Sequence, residues 1–496
     1  MAITVTSDMT LIHACDADEW SLGGLDTAYQ DEGSACLGLK VSNALSALIT
    51  YTPGSPLDMT DKFLMQPLLV NGKADTKANG GYRIYMETDA SNYGYWYVGG
   101  SEDKEKWIYF AVDPSTTPTT GTGTVDPSSI AKIGVQFKTV STSSGNAMNC
   151  FWDICHYGSY IQVTSALTDD ITWQDIAVEA QSNYWGMAIF NEKLGITAIQ
   201  GLIKLGSTVS GDVNIDSVGE TAIWQSAEFL PDAKSGIEVL GNSGTTTNVS
   251  LANGSIKGVT NYPYFDSSDT NVDDVTISAN PITHFAAIDL ESTTTIISTT
   301  IDSCGLVTPL TAVIEDVTIS NSTETASYAL LMPLVHNLAR ITYTNNYWGF
   351  GVNPATNDDE YTEDGGTFSG NTADVHNIHA TNDAIINAGN GSNISTKDES
   401  SGGLITIVAD QISFALTNLI AGTEVRIYRV SDDVELAGIE TSGTSFTYNY
   451  TYVADVPVWV AIANKLYYYL NPSFTLTNEN ASIPINQEID ATYENP

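Results

Sequence analysis

Carboxylates are the abundant reactive groups of this chain: 59 acidic residues stand against 18 basic ones, a formal net charge of -41. Two carboxyl groups held roughly 5 to 9.5 Å apart, one protonated and one ionised, can hydrolyse a glycosidic bond. Two acidic clusters follow aromatic residues. Asp266, Asp269, Asp273 and Asp274 come after Tyr262, Tyr264 and Phe265; Asp358, Asp359, Glu360, Glu363 and Asp364 come after Tyr347, Trp348 and Phe350. In a hydrolase the expected pair is Asp273 or Asp274 with Asp289 or Glu315, on neighbouring repeats and facing one groove lined by Tyr343. The ordinary role of such residues is solvated turns that keep a long β protein soluble. Asp358, Asp359, Glu360 and Asp364 also have the clustered oxygens that suit Ca²⁺, the one cofactor the sequence suggests. His376 and His379 are three apart, which on a strand puts them on opposite faces and argues against a metal pair. No Gly-rich phosphate loop, nucleophile elbow or H-E-x-x-H occurs. With no convergent catalytic motif, a non-enzymatic role is the leading expectation.

Aromatic residues offer a second chemistry. In Tyr93-Gly94-Tyr95-Trp96-Tyr97 the rings alternate, which suits either core packing or the stacking of flat rings on sugar faces. Tyr95, Tyr97 and Trp348 are the candidate carbohydrate-binding residues.

A repeat must position these groups. Between Asn248 and Gly351 a short apolar-polar-apolar strand recurs, as Val249-Ser250-Leu251, Val275-Thr276-Ile277, Thr299-Thr300-Ile301, Val317-Thr318-Ile319 and Ile341-Thr342-Tyr343. Each is followed by small polar residues, in steps of about 18 to 26 residues, which is a solenoid signature. Period-2 alternation makes the units strands. No unit can bury its own apolar face, so successive units must stack. A right-handed parallel β-helix satisfies this, with Asn, Ser or Asp at the corners.

The expected fold is all-β in three parts. Residues 1–165 read as a jelly-roll β-sandwich, with strands such as 82–87, 93–98 and 133–138. Residues 166–400 read as the solenoid, with 357–367 an acidic excursion from it. Residues 401–496 read as an Ig-like β-sandwich after a Ser401-Gly402-Gly403 linker.

Composition excludes several classes. So acidic a surface repels nucleic acid and anionic membranes. No apolar run reaches the roughly 18 residues of a membrane span, so no membrane insertion is expected. The N-terminus lacks a basic start and an apolar core, so no secretory signal is expected. The five cysteines form no C-x-x-C pair; Cys15, Cys36, Cys150 and Cys155 leave room for one disulfide in the first part.

Three resemblances add to this. Cys150 to Gly158, followed by Tyr160 to Val163, resembles the closing strand of carbohydrate-binding-module-like jelly rolls. Thr344 to Phe350 is similar to the Asn-Asn-Trp-Trp-Gly motif of parallel β-helix surface proteins, with Tyr347 in place of one Trp. The runs Gly422 to Tyr428, Glu435 to Gly438, Ser442 to Tyr450 and Ile483 to Pro496 look like the C-terminal module of tailed-bacteriophage virion proteins that carry a β-helix, over about a fifth of the chain. That last likeness implies a location on the virion surface, contacts with other virion proteins, a homo-oligomer of the trimeric kind, and host surface glycan as a ligand. It implies a structural component of a phage particle, either a fibre, a spike or a head-decoration protein. The alternatives are a tailspike depolymerase that hydrolyses host polysaccharide and a glycan-binding adhesin.

Overall fold

The computed structural model describes residues 4–31, 33–42, 46–103, 105–140, 147–164, 170–183, 185–206, 212–224, 229–230, 235–241, 248–258, 263–267, 269, 274–291, 293–323, 327–409, 412–451, 454–477 and 481–490. The chain is all-β and divides into two compact units, Met1–Val313 with Ser320–Glu324, and Ile314–Ile319 with Thr325–Pro496.

The first unit opens with a sandwich. One antiparallel sheet orders Thr120–Thr122, Asn92–Gly99, Tyr82–Asp89, Lys132–Lys138 and Ser46–Tyr51; the other is built on Phe63–Gly72 and Ala147–Trp152. The inner faces meet over Ile84, Met86, Trp96, Val135, Phe137, Val70 and Trp152, all 2 % exposed or less. Alternation explains the geometry: in Asn92–Gly99 the inward Trp96 is fully buried while Tyr93, Tyr95 and Tyr97 point the other way. All five cysteines are buried free thiols, so the disulfide considered among Cys15, Cys36, Cys150 and Cys155 is not formed.

From Tyr160 on, the strands of this unit other than Ala188–Asn191 stack in three parallel sheets. The first sheet stacks Tyr160–Thr164, Leu202–Gly206, Gly236–Leu240, Tyr264–Ser267, Ala287–Leu290 and Leu306–Thr308. The second stacks Val213–Asp216, Asn248–Ala252, Asp274–Ser278 and Thr294–Ile297, and the third Ile196–Ile199, Thr221–Trp224, Ser255–Gly258, Ile282–Thr283 and Thr300–Asp302. Register is fixed by burial: Ile215, Leu251, Ile277 and Ile296 pair in line and are 1 % exposed or less, and a one-residue slip would turn all four into water. Each such side chain contributes about 1.5–3 kcal/mol.

A helix that the sequence reading did not anticipate, Trp173–Ser182, precedes these coils. Thr172 accepts from the Asp175 N–H while the Asp175 side chain accepts from the Thr172 N–H, a reciprocal cap. Its buried face of Trp173, Ile176, Ala177 and Ala180 closes the end of the core, with Trp173 edge-on to Trp224 at 5.9 Å.

One conformation makes the corner between the second and third sheets. Asn253, Ala279 and Ser298 follow their strands directly and have φ of 57°, 46° and 51°. The Asn253 N–H donates to the Ser278 carbonyl one coil on, at 3.3 Å. The second unit repeats the device at Asp316, Arg340, Gly365 and Asn390, and there the Arg340 N–H reaches Asp364 O at 2.6 Å and the Gly365 N–H reaches Gly389 O at 3.0 Å. Asn, Ser and Asp do take corners, as expected, because they tolerate the left-handed region.

The second unit continues the same architecture with Tyr328–Met332, Trp348–Val352, Ala373–Asn377 and Lys397–Asp398 in one parallel sheet and Asp359–Asp364, Ala384–Gly389 and Ile405–Ala409 in another. Two expectations are corrected here. The acidic stretch 357–367 is no excursion, since Asp359–Asp364 is a regular strand with Tyr361 and Glu363 inward. Ser401-Gly402-Gly403 is no linker: the Gly403 N–H donates to His379 O at 3.0 Å, and Ile405–Ala409 is still a parallel strand. The antiparallel sandwich begins only at Ile412–Thr417 and closes over Phe414, Leu416, Val425, Ile427, Val458, Val460 and Ile462.

Candidate active site on a parallel sheet

On the first parallel sheet of the first unit, the outward positions form one file. Lys204, Glu238, Asp266, Asp289 and Thr308 are paired in register on five successive coils. Each sits between inward neighbours, apolar in Ile237-Glu238-Val239 and Ile288-Asp289-Leu290 and Phe265 with the buried Ser267 around Asp266, so strand alternation turns every one of them outward. Parallel neighbours are about 4.8 Å apart. In-register parallel pairing of Asp266 with Asp289 is a backbone arrangement compatible with the separation of about 5–5.5 Å between carboxyl groups at which one acts as acid and the other as nucleophile.

A cavity of about 440 Å³ lies over this file, lined by Leu202, Ser235, Ile237, Glu238, Tyr264, Asp266 and Asp289. The two carboxylates differ in surroundings. Burial pushes the Asp289 carboxyl above its usual range, the negative Asp266 on the adjacent coil adds to this, and a hydrogen bond from Thr308 opposes both. Lys204 forms an ion pair with Glu238 at 3.1 Å and lies 4.5 Å from the centre of the Tyr160 ring, which fixes the charge at one end of the file. Ser235 is 1 % exposed, and among the described residues its Oγ has no hydrogen-bond partner. A buried hydroxyl left in that state costs about 1–3 kcal/mol, which a ligand hydroxyl entering the cavity would recover.

The expected catalytic set is partly redistributed. Asp289 lies in this cavity. Asp273 is outside the described residues. Asp274 is an exposed residue that opens a strand of the second sheet, not the first, so it does not face Asp289 across a groove. Glu315 is bound by Arg340 at 3.2 Å, and the same guanidinium holds Asp316 at 2.7 Å. Tyr343 lines no groove: it is fully buried in the second unit and stacks on Phe368 at 4.8 Å. The residues missed were Glu238 and Ser235, and Asp266 was seen only as one of a cluster. The signal was the recurring apolar-charge-apolar triplet at Lys204, Glu238 and Asp289, of which Phe265-Asp266-Ser267 is a variant.

The carboxylates of the acidic stretch of the second unit are engaged by neighbouring backbone and amide groups. Asp359 accepts from the N–H groups of Ala355 at 2.7 Å and Thr356 at 3.0 Å, Glu360 accepts from Asn387 at 3.3 Å, Asp364 accepts from Asn390, and Asp358 turns the chain with φ 62°. Strand alternation separates these side chains, and among the described residues no group of three or more potential metal ligands converges. His376 is buried and stacks on Trp348 at 3.7 Å. That stacking corrects the carbohydrate-binding role expected of Trp348, whose ring is 7 % exposed and whose indole N–H donates to Asp398 at 3.1 Å.

Tyr95 and Tyr97 are half-buried on the outer face of the five-stranded sheet of the sandwich. With Tyr85 and Tyr93 they form one aromatic surface: Tyr85 lies 4.9 Å from Tyr95, and the Arg83 guanidinium sits 4.3 Å over Tyr97. Gln136 accepts from Arg83 at 2.6 Å and Glu87 pairs with Lys132 at 2.9 Å, which hold the polar members of this face in place.

No protein-family model and no curated protein matches the chain. Among solved structures it is similar to a variant catalytic domain of a GH87 α-1,3-glucanase in complex with nigerose, at 11% identity over 84% of this chain and 78% of that one, with a TM-score of 0.22. A structure described as an exo-β-agarase gives 13% identity over 37% of this chain and 31% of that one, with a TM-score of 0.21. Scores this low carry no argument, and the functional reading rests on the residues themselves.

Proposed function

We propose that the protein hydrolyses a polysaccharide at the Asp266–Asp289 cavity. The observation that carries this reading is the in-register pair of carboxyl groups on adjacent coils, one of them with its proton affinity raised, inside a cavity that also holds an unsatisfied buried hydroxyl. Asp289, the carboxyl whose proton affinity burial raises, acts as the acid that protonates the leaving glycosidic oxygen. The Asp266 carboxylate attacks the anomeric carbon as the leaving oxygen departs, and water then releases the sugar with Asp289 acting as base. Lys204 keeps Glu238 engaged, so the third carboxylate of the file does not compete for the proton. The setting implied by the sequence resemblance is the surface of a phage particle, with host surface polysaccharide as substrate. Incubation of the protein with capsular polysaccharide and lipopolysaccharide should release reducing ends, and Asp289→Asn should lower turnover at least a hundredfold with melting unchanged. Equal release by wild type and mutant would remove the assignment. Mass spectrometry of purified particles tests the setting.

A second reading, a glycan binder without cleavage, is favoured by the tyrosine face of the sandwich. Rings of this kind lose little entropy on contact and offer an apolar surface to a pyranose face. Binding that is lost in Tyr95→Ala and unaffected in Asp289→Asn, with no reducing ends released, would select it.

A further inference from the structure

A second cavity in the first unit, of about 640 Å³, lies between the sandwich strand Ile108–Val112 and the outer face of the third parallel sheet. Its volume is that of a site for a small ligand. The sheet wall is unusual. Ile189, Ala198 and Ile223 form one outward file, which the later strands of the same sheet continue with Lys257, Thr283 and Asp302; Ile196 stands in the next outward file, continued by Thr221 and Ser255. Apolar outward residues are thus confined to the part of the sheet that faces the cavity. Trp107 lines the same cavity, half-buried, packed against Leu69 and Phe151 and tethered through its indole N–H to Tyr29 O at 3.1 Å.

Gln200 lines the same cavity. It is 6 % exposed, its Nε2 donates to the Tyr109 carbonyl, and among the described residues its Oε1 has no hydrogen-bond partner. A buried amide oxygen in that state calls for a donor from a ligand. The rim carries both signs of charge, Lys77 and Lys106 with Glu102 and Asp103. The two acids already accept from backbone N–H groups, Glu102 from Lys77 and Asp103 from Gly100, each at 3.2 Å. An apolar wall, the flat Trp107 ring, a buried acceptor and a balanced rim are what a neutral pyranose matches, with its C–H face on Trp107 and a hydroxyl donating to Gln200 Oε1.

We infer that this cleft is a non-catalytic saccharide-binding site, separate from the Asp266–Asp289 cavity and independent of whether cleavage occurs there. The test is calorimetry on the full chain carrying Asp289→Asn, titrated with maltohexaose, cellohexaose and chitohexaose, each also as its monosaccharide. At least one hexasaccharide should bind, and Gln200→Leu or Trp107→Ala added to that background should weaken it tenfold or more or remove one equivalent of sites. Where the monosaccharide binds as well as the hexasaccharide, the ligand is a free sugar; where only the hexasaccharide binds, it is a chain segment, and either result supports the site. If Gln200→Leu fails to fold, Trp107→Ala, at a half-buried position, decides. Binding that neither substitution changes, or no binding of any probe at millimolar concentration, would overturn the inference.

Discussion

Glu363 points into the solenoid, 3 % exposed, and accepts from the Gly366 N–H at 3.0 Å; burial raises its carboxyl to about 7. The unfolded chain releases this proton near the ordinary glutamate value of 4.5. Between those values the folded state binds more protons than the unfolded state, so stability falls as pH rises through the window and the loss is complete above about pH 7. A shift of this size corresponds to about 3 kcal/mol. Glu363→Gln should flatten the dependence of chemical-denaturation stability between pH 4.5 and 7 and raise stability at pH 8; an unchanged slope would place the proton elsewhere. Asp289 follows the same sign at the functional scale. Because its proton is the catalytic one, polysaccharide cleavage should decline as pH rises past its elevated pKa, and Thr308→Val, which removes the hydrogen bond that stabilises the ionised form, should move that decline to higher pH.

At the scale of elements, the corners set the strain. Ala279 holds a left-handed corner at φ 46°, a conformation that costs a residue with a Cβ about 1–2 kcal/mol. Ala279→Gly should therefore raise stability by about 0.5–1 kcal/mol after the unfolded-state entropy of glycine is subtracted, measured by urea denaturation. Val317→Asp would place an uncompensated charge at a 1 % exposed core position and should abolish soluble folding. These corners also explain how much of the solenoid was legible. Inward residues such as Val275, Ile277, Val317, Ile319 and Ile341 are all buried, as alternation implied. Which sheet each strand joins was not legible. The sequence repeat passes from the second sheet at Val275 to the third at Ile301, because connecting loops vary: the in-register partners Ile215, Leu251, Ile277 and Ile296 lie 36, 26 and 19 residues apart. With coil length that irregular, neighbours across coils cannot be counted off. That is why Asp289 was expected beside Asp274 and lies beside Asp266.

For the whole chain, the boundaries of parts are where sequence reading and structure diverge most usefully. Gly-rich Ser401 to Gly403 looked like a place where one domain ends, yet it is a tight turn within the solenoid, fixed by His379 and by the Leu404 N–H donating to Asp383 at 2.8 Å. A chain ending at 410 keeps the pairing of Ile405–Ala409 with Ala384–Gly389 and should remain soluble and monomodal in light scattering. A chain ending at 400 bares the Ala384–Gly389 edge, with Ile386 and Ala388 behind it, and should aggregate. Similar behaviour of the two truncations would mean that the last strand adds nothing to the edge.

The opening of the solenoid has its own logic. Thr4–Ser7 runs antiparallel along Tyr160–Thr164, Ala188–Asn191 runs antiparallel along Ile196–Ile199, and the helix Trp173–Ser182 plugs the core between them. A parallel stack repeats its own edge at every step, so nothing inside it says where to stop. Reversing strand direction supplies that stop, since the exposed side of a reversed strand no longer offers the parallel register that another coil would need. Length then becomes a heritable quantity separate from identity: a lineage can gain or lose whole coils further along the stack, and with them new outward files of side chains, while the terminus that begins it is left untouched.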